Sequence, residues 1–133
     1  MNLKSTSIIF ISLLLILSTS CSIFQKKNTP EYVSKQFLTN FQKLNFEEAS
    51  KYGTENTKMM IAFFKNIIGM MPADKRDSLQ IPKADVEIKK CYIFDNTAKC
   101  AYIANDKLDT LDLLKVDGKW LVDLKKENKN SQN

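Results

Sequence analysis

Few residues in this 133-residue chain are able to do covalent chemistry, and the cysteines come first. There are three, Cys21, Cys91 and Cys100. Cys91 and Cys100 have three readings: a structural disulfide, two buried free thiols, or a redox or metal site. No CxxC pattern supports the last of these. The chain has no histidine at all. That removes the commonest general base, the commonest metal ligand, and the Ser/His and Cys/His nucleophile pairs. No cofactor motif (GxGxxG, P-loop) and no GxSxG or HExxH pattern occurs, so neither a cofactor nor a metal is expected. Asp109 and Asp112 lie close in sequence, but on a strand they point to opposite faces and read as solvent-facing partners for lysines. Met60, Phe64, Tyr102 and Trp120 are candidates to line a ligand cavity, with core packing as the alternative for each.

Those residues need an address and a scaffold. The address lies in Ile8–Cys21, IIFISLLLILSTSC. Lys4 supplies a positive start, and Ile8–Leu17 is apolar except for Ser12. Ten helical residues cover about half of a bilayer's ~30 Å hydrocarbon core, so the run suits a signal-peptide core better than a membrane span. Ser18, Thr19 and Ser20 then precede Cys21. This arrangement resembles the lipobox of bacterial lipoproteins, with Ser18 where leucine is usual. The resemblance implies cleavage before Cys21 and acylation of that cysteine by chains such as palmitate. It places the protein in the cell envelope, anchored by lipid to an extracytoplasmic membrane face. Ordinary secretion and an uncleaved anchor are the alternatives. If Cys21 is lipidated, the remaining cysteines form an even pair, which favours the disulfide.

Removal of residues 1–20 leaves 113 residues, enough for one domain. Its formal charge is then +4, with the lysines scattered. Nucleic-acid binding is therefore not expected.

Residues 21–28 read as the lipidated cysteine and a tether, 29–125 as the domain, and 126–133 as a polar tail. Thr29-Pro30-Glu31 is a helix start, and Val33, Phe37, Phe41 and Leu44 recur at helical spacing. Asn45 with Glu48 reads as a capping box for a short second helix, which Gly53 closes as a left-handed residue. A third helix is expected over Glu55–Met71, with Met60, Phe63, Phe64, Ile67, Ile68 and Met71 on one apolar face, and Pro72 stops it. A loop with one turn of helix near Asp74–Leu79 follows.

From Asp85 the period becomes that of strands. Asp95-Asn96, Asn105-Asp106 and Asp117-Gly118 read as two-residue turns between four strands. These turns place Cys91 opposite Cys100, Lys99 opposite Asp112, Leu113 opposite Val122, and Leu111 opposite Leu124.

The element order, with the stretches TPEYVSKQFLTNFQKLNFEEASKY (Thr29–Tyr52) and LDLLKVDGKWLVD (Leu111–Asp123), resembles the nuclear transport factor 2-like superfamily. It looks most like the small bacterial lipoproteins carrying a lumazine-binding-like domain of unknown function. The resemblance implies an α+β fold in which N-terminal helices wrap a curved antiparallel sheet into a cystatin-like cone whose mouth can hold a ligand. It also implies that a homodimer is open to the chain. Superfamily members include ketosteroid isomerase and dehydratases, which rely on inward acids and a tyrosine, as well as many members without catalysis. No catalytic residue is carried over. The expectation is a noncatalytic domain binding a small apolar ligand or an envelope protein. The alternatives are an isomerase- or dehydratase-like enzyme using a buried acid, and a purely structural accessory protein.

Overall fold

The computed structural model describes residues 26–79 and 85–125. Cys21, the leader and the polar tail lie outside the described residues. Among the described residues the named helices are α1 (Pro30–Gln42), α2 (Phe46–Ser50), α3 (Glu55–Gly69) and α4 (Ala73–Leu79). Four strands follow: β1 (Glu87–Phe94), β2 (Thr97–Ala104), β3 (Lys107–Val116) and β4 (Lys119–Val122). They form one antiparallel sheet in the order β1-β2-β3-β4.

α1 starts where the sequence predicts. The Thr29 hydroxyl accepts a hydrogen bond from the Tyr32 N–H at 3.2 Å, and Pro30 occupies the first turn. Val33, Phe37 and Leu38 face the sheet and are buried. Ser34 is buried with them, and among the described residues its Oγ has no hydrogen-bond partner. A buried hydroxyl without a partner costs about 1–3 kcal/mol. Ser34→Ala is therefore expected to raise stability by roughly 1 kcal/mol in urea unfolding. A loss of stability would mean that the hydroxyl is satisfied.

Two details of the helix caps differ from expectation. Asn45 stands at the start of α2, but its side chain makes no capping bond, and Glu48 pairs instead with Lys51. Gly53 does not adopt the left-handed conformation; among the described residues Gly118 is the glycine that does. What Gly53 supplies is space. A Cβ there would lie 2.7 Å from Cγ2 and 3.0 Å from Cβ of Thr57.

Thr57 cannot retreat, because it stitches α3 to the end of the sheet. Its hydroxyl donates to the Val122 carbonyl at 2.8 Å and accepts from the Leu124 N–H at 2.9 Å. The Val122 N–H donates to the Tyr52 carbonyl at 2.8 Å, and the Thr54 N–H returns a bond to the Val122 carbonyl at 2.9 Å. Gly53→Ala is accordingly expected to cost about 1–3 kcal/mol by overpacking this junction. Thermal unfolding of the variant measures the loss, and an unchanged midpoint would show the junction to be loose.

The sheet registers follow the turns. Cys91 faces Cys100, Lys99 faces Asp112 and Leu113 faces Val122. Asn105, Asp106, Asp117 and Gly118 have positive φ, as tight hairpin turns of this twist demand. The Leu111–Leu124 pair does not form, since β4 ends at Val122. One irregularity is new. Between Ile88 and Lys90 the β1 register shifts against β2, leaving Lys89 as an extra residue. The bulge puts Ile88, Cys91 and Ile93 on one face of the sheet, although their spacing is not strictly alternate.

That face carries the core. Ala98, Cys100, Leu111, Leu113, Trp120 and Val122 are buried on it, under α1. α3 is seated differently from expectation. Only Thr57 and Ile61 are buried on it. Of its expected apolar face, Phe63 and Phe64 are exposed, and Met60, Ile67, Ile68 and Met71 are half-buried.

Candidate functional site

The four expected cavity residues are not gathered into one cavity. Met60 is half-buried on α3, and Phe64 meets Phe41 edge-on at 6.0 Å. Tyr102 lies on β2 and Trp120 on β4. Trp120 lines a pocket of about 190 Å³ with Lys27, Asn28, Val33, Lys51, Tyr52, Lys119 and Leu121, and the other three residues are not in its wall. The expected cavity between the third helix and the sheet is thus replaced, because α3 attaches by its first turns and leaves the sheet face to α1.

Tyr102 does meet an acid. Its hydroxyl donates to Asp109 Oδ2 across the β2–β3 pair, at a long 3.4 Å. Burial, and then the Asp109 charge and hydrogen bond, push the Tyr102 phenol above its ordinary pKa. The phenol therefore stays protonated at neutral pH. Asp109 itself is exposed, as is the pair as a whole. Asp112 sits on the opposite face of the sheet, 3.5 Å from Lys99 and 3.6 Å from Lys125. Among the described residues no carboxylate is buried. An isomerase-like mechanism with a buried acid has no residue for that role there.

Cys91 and Cys100 are joined as a disulfide, their Cα atoms 4.0 Å apart. Counting from the Asp95-Asn96 turn, the pair falls at a non-hydrogen-bonded site, where opposed side chains come closest. Cys100 is fully buried. Among the described residues no cluster of three or more Cys, Asp or Glu side chains is placed to hold a metal ion.

One concavity was not anticipated. A cleft of about 680 Å³ opens between the start of α1 and the approach to β1. Thr29, Glu31, Tyr32 and Lys35 form one wall, and Asp85, Val86, Glu87 and Ile88 form the other. The volume suits a small molecule or a short peptide segment. Three carboxylates and one ammonium make the lining net acidic, around the Tyr32 phenol and two aliphatic side chains. Glu31 and Lys35 project from adjacent turns of α1 on one side. Glu87 is shared with Lys89, its partner at 2.6 Å. Such a lining favours a cationic group seated beside an aromatic ring. No sequence signal marks it, because its walls come from stretches about fifty residues apart.

No family model and no curated protein matches the chain. Among solved structures it is similar to a Campylobacter jejuni protein described as a nuclear transport factor 2-like transpeptidase. The identity is 21%, the TM-score 0.51, and the alignment covers 73% of this chain and 99% of the other. At that identity the likeness speaks of architecture alone. Helices ahead of a four-stranded antiparallel meander, together with this likeness, make the chain an α+β domain of the nuclear transport factor 2-like fold.

Proposed function

We propose that the chain is a lipid-anchored cell-envelope protein whose domain is a noncatalytic binding module. In this reading residues 1–20 are removed, Cys21 carries the lipid, and the α1–β1 cleft holds a small ligand or partner segment bearing a positive charge. The carrying observation is the cleft itself: about 680 Å³, walled by Glu31, Asp85 and Glu87 against Lys35 alone, with Tyr32 and Ile88 beside them. The Ile8–Cys21 pattern supports the address, and a disulfide suits an oxidising compartment outside the cytoplasm. Among the described residues no helix is long and apolar enough to cross a membrane. In this reading the anchor is the acyl chain on Cys21.

The neighbour's name includes transpeptidase, a reaction that needs a nucleophile and a base to activate it. This chain has no histidine, and Cys91 and Cys100 are bonded to each other, so neither a histidine base nor those two thiols can serve such a reaction. The binding reading rests on the cleft.

Native mass spectrometry of the protein released gently from its own envelope tests the module. An adduct of small-molecule size that disappears in the Glu31→Gln/Glu87→Gln variant is the expected result. A bare protein, under conditions that keep a control ligand bound, overturns ligand binding in favour of a structural accessory role. The intact mass tests the anchor in the same spectrum, since acylation adds the mass of the chains at Cys21.

A further inference from the structure

The pocket that holds Trp120 has the opposite electrostatics to the cleft. Lys27, Lys51 and Lys119 converge on it from three separate parts of the chain, and no acid is in its wall. Its floor is aromatic, with the Trp120 indole and the Tyr52 phenol. A fourth cation, Lys115, stands 5.5 Å from the centre of the Trp120 ring. Glu48 is bonded to Lys51, and the Glu47 charge also acts on that ammonium. Two carboxylates thus offset part of the charge of four ammonium groups. Burial, followed by the neighbouring Tyr32, pushes the Tyr52 phenol upward, so it adds no negative charge.

The tether enters the domain at this pocket. The Asn28 amide donates to the Gly118 carbonyl at 2.7 Å, and its oxygen accepts from the Trp120 N–H at 3.0 Å. Those two bonds pin the chain to the β3–β4 hairpin. Cys21 is seven residues upstream, so even a fully extended chain holds Asn28 within about 25 Å of an acylated Cys21. Whatever membrane carries the lipid is therefore close to this face. Clustered lysines next to an anchor are attracted to anionic headgroups.

We propose that the Lys27–Lys51–Lys119 pocket is a docking site for the phosphate headgroup of an anionic phospholipid, which turns the β3–β4 hairpin toward the membrane. The proposal deepens the lipid-anchor reading and rests on it. Docking in this orientation makes the protein lie against the bilayer by a defined face instead of swinging on its tether. Each lysine acts as a point charge on a flexible stem, suited to a headgroup that is itself mobile.

Trp120 is the sole tryptophan of the chain and reports on its own pocket. The acylated protein is placed in phosphatidylcholine vesicles containing a dansyl-headgroup lipid, with or without phosphatidylglycerol. Energy transfer from Trp120 is expected to rise when phosphatidylglycerol is present and to fall with added salt. Replacing Lys27, Lys51 and Lys119 by glutamine in turn is expected to lower the docked-to-free ratio about fivefold for each lysine removed. The arginine replacements should retain docking, which separates loss of charge from loss of fold. The salt response of the unaltered protein needs no variant at all. Equal transfer in the two lipid mixtures overturns the proposal. So does a Trp120 response to inorganic phosphate alone that the vesicles do not reproduce, since that marks a soluble-anion site. The intact mass of the same sample reports acylation separately. An unacylated chain that still shows phosphatidylglycerol-dependent transfer, when added to vesicles from outside, retains the docking site and loses only the anchor.

Discussion

Replacing Phe37 with alanine is expected to lower the unfolding free energy by about 3–5 kcal/mol, the cost of emptying a well-packed aromatic site. Phe37 is 2% exposed, at the middle of the α1 face that lies across the sheet. Its ring stacks on Phe41 with centroids 5.8 Å apart, and Phe41 in turn meets Phe46 and Phe64 edge-on. One ring therefore links the helix that covers the sheet to both α2 and α3. Domains of this size are stable by about 5–15 kcal/mol in all, so the substitution removes a large share of the total. Urea unfolding followed by far-UV circular dichroism measures it. Phe37→Leu, which keeps most of the volume, should lose far less. A loss below about 1 kcal/mol for alanine would mean that α1 is not seated on the sheet as described.

The second large effect concerns the disulfide. Removing the Cys91–Cys100 bond by replacing both cysteines with alanine is expected to cost roughly 3 kcal/mol, the chain-entropy value for so short a closed loop. In a domain of about 100 residues that corresponds to a fall of roughly 10–20 °C in midpoint. The bond ties the edge strand β1 to β2, and Cys100 is fully buried, opposite Leu111 in the β2–β3 pair. Calorimetry of the oxidised protein with and without a reductant checks the same quantity without mutation. Identical midpoints would show that the bond does not constrain the unfolded chain. The sign fixes a practical rule: the domain is most stable where disulfides persist.

Much of the scaffold was legible from local signals. Thr29-Pro30-Glu31 marks the start of α1 because hydroxyl, ring and carboxylate each suit a helix's first turn. The three two-residue turns determine the registers, and through them the Cys91–Cys100 and Lys99–Asp112 pairs, because a hairpin loop leaves no freedom of pairing. What stayed hidden depends on long-range packing. Periodicity shows that α3 has an apolar face, and it carries no information on whether another element covers that face. Phe63 and Phe64 are therefore exposed where packing was expected. Gly53 looks like a helix stop, yet its smallness serves Thr57, whose bonds reach Val122 and Leu124. The acidic cleft joins residues 29–35 to residues 85–88, and neither stretch carries a motif. A single extra residue such as Lys89 is likewise invisible, because alternation resumes on both sides of it.

That extra residue bears on how copies of the protein behave when crowded together. Among the described residues β1 is an outermost strand of the sheet with one side unpaired, and an eight-residue strand so placed is a template for cross-β growth. Lys89 bends that rim out of a straight ladder, and Lys90 beside it adds a second charge for an incoming strand to bury. The other rim, β4, is only four residues long and is closed by the Gly53–Val122 bridge. Both rims of the sheet thus discourage fibre formation, one through a kink and charge, the other through brevity and cover.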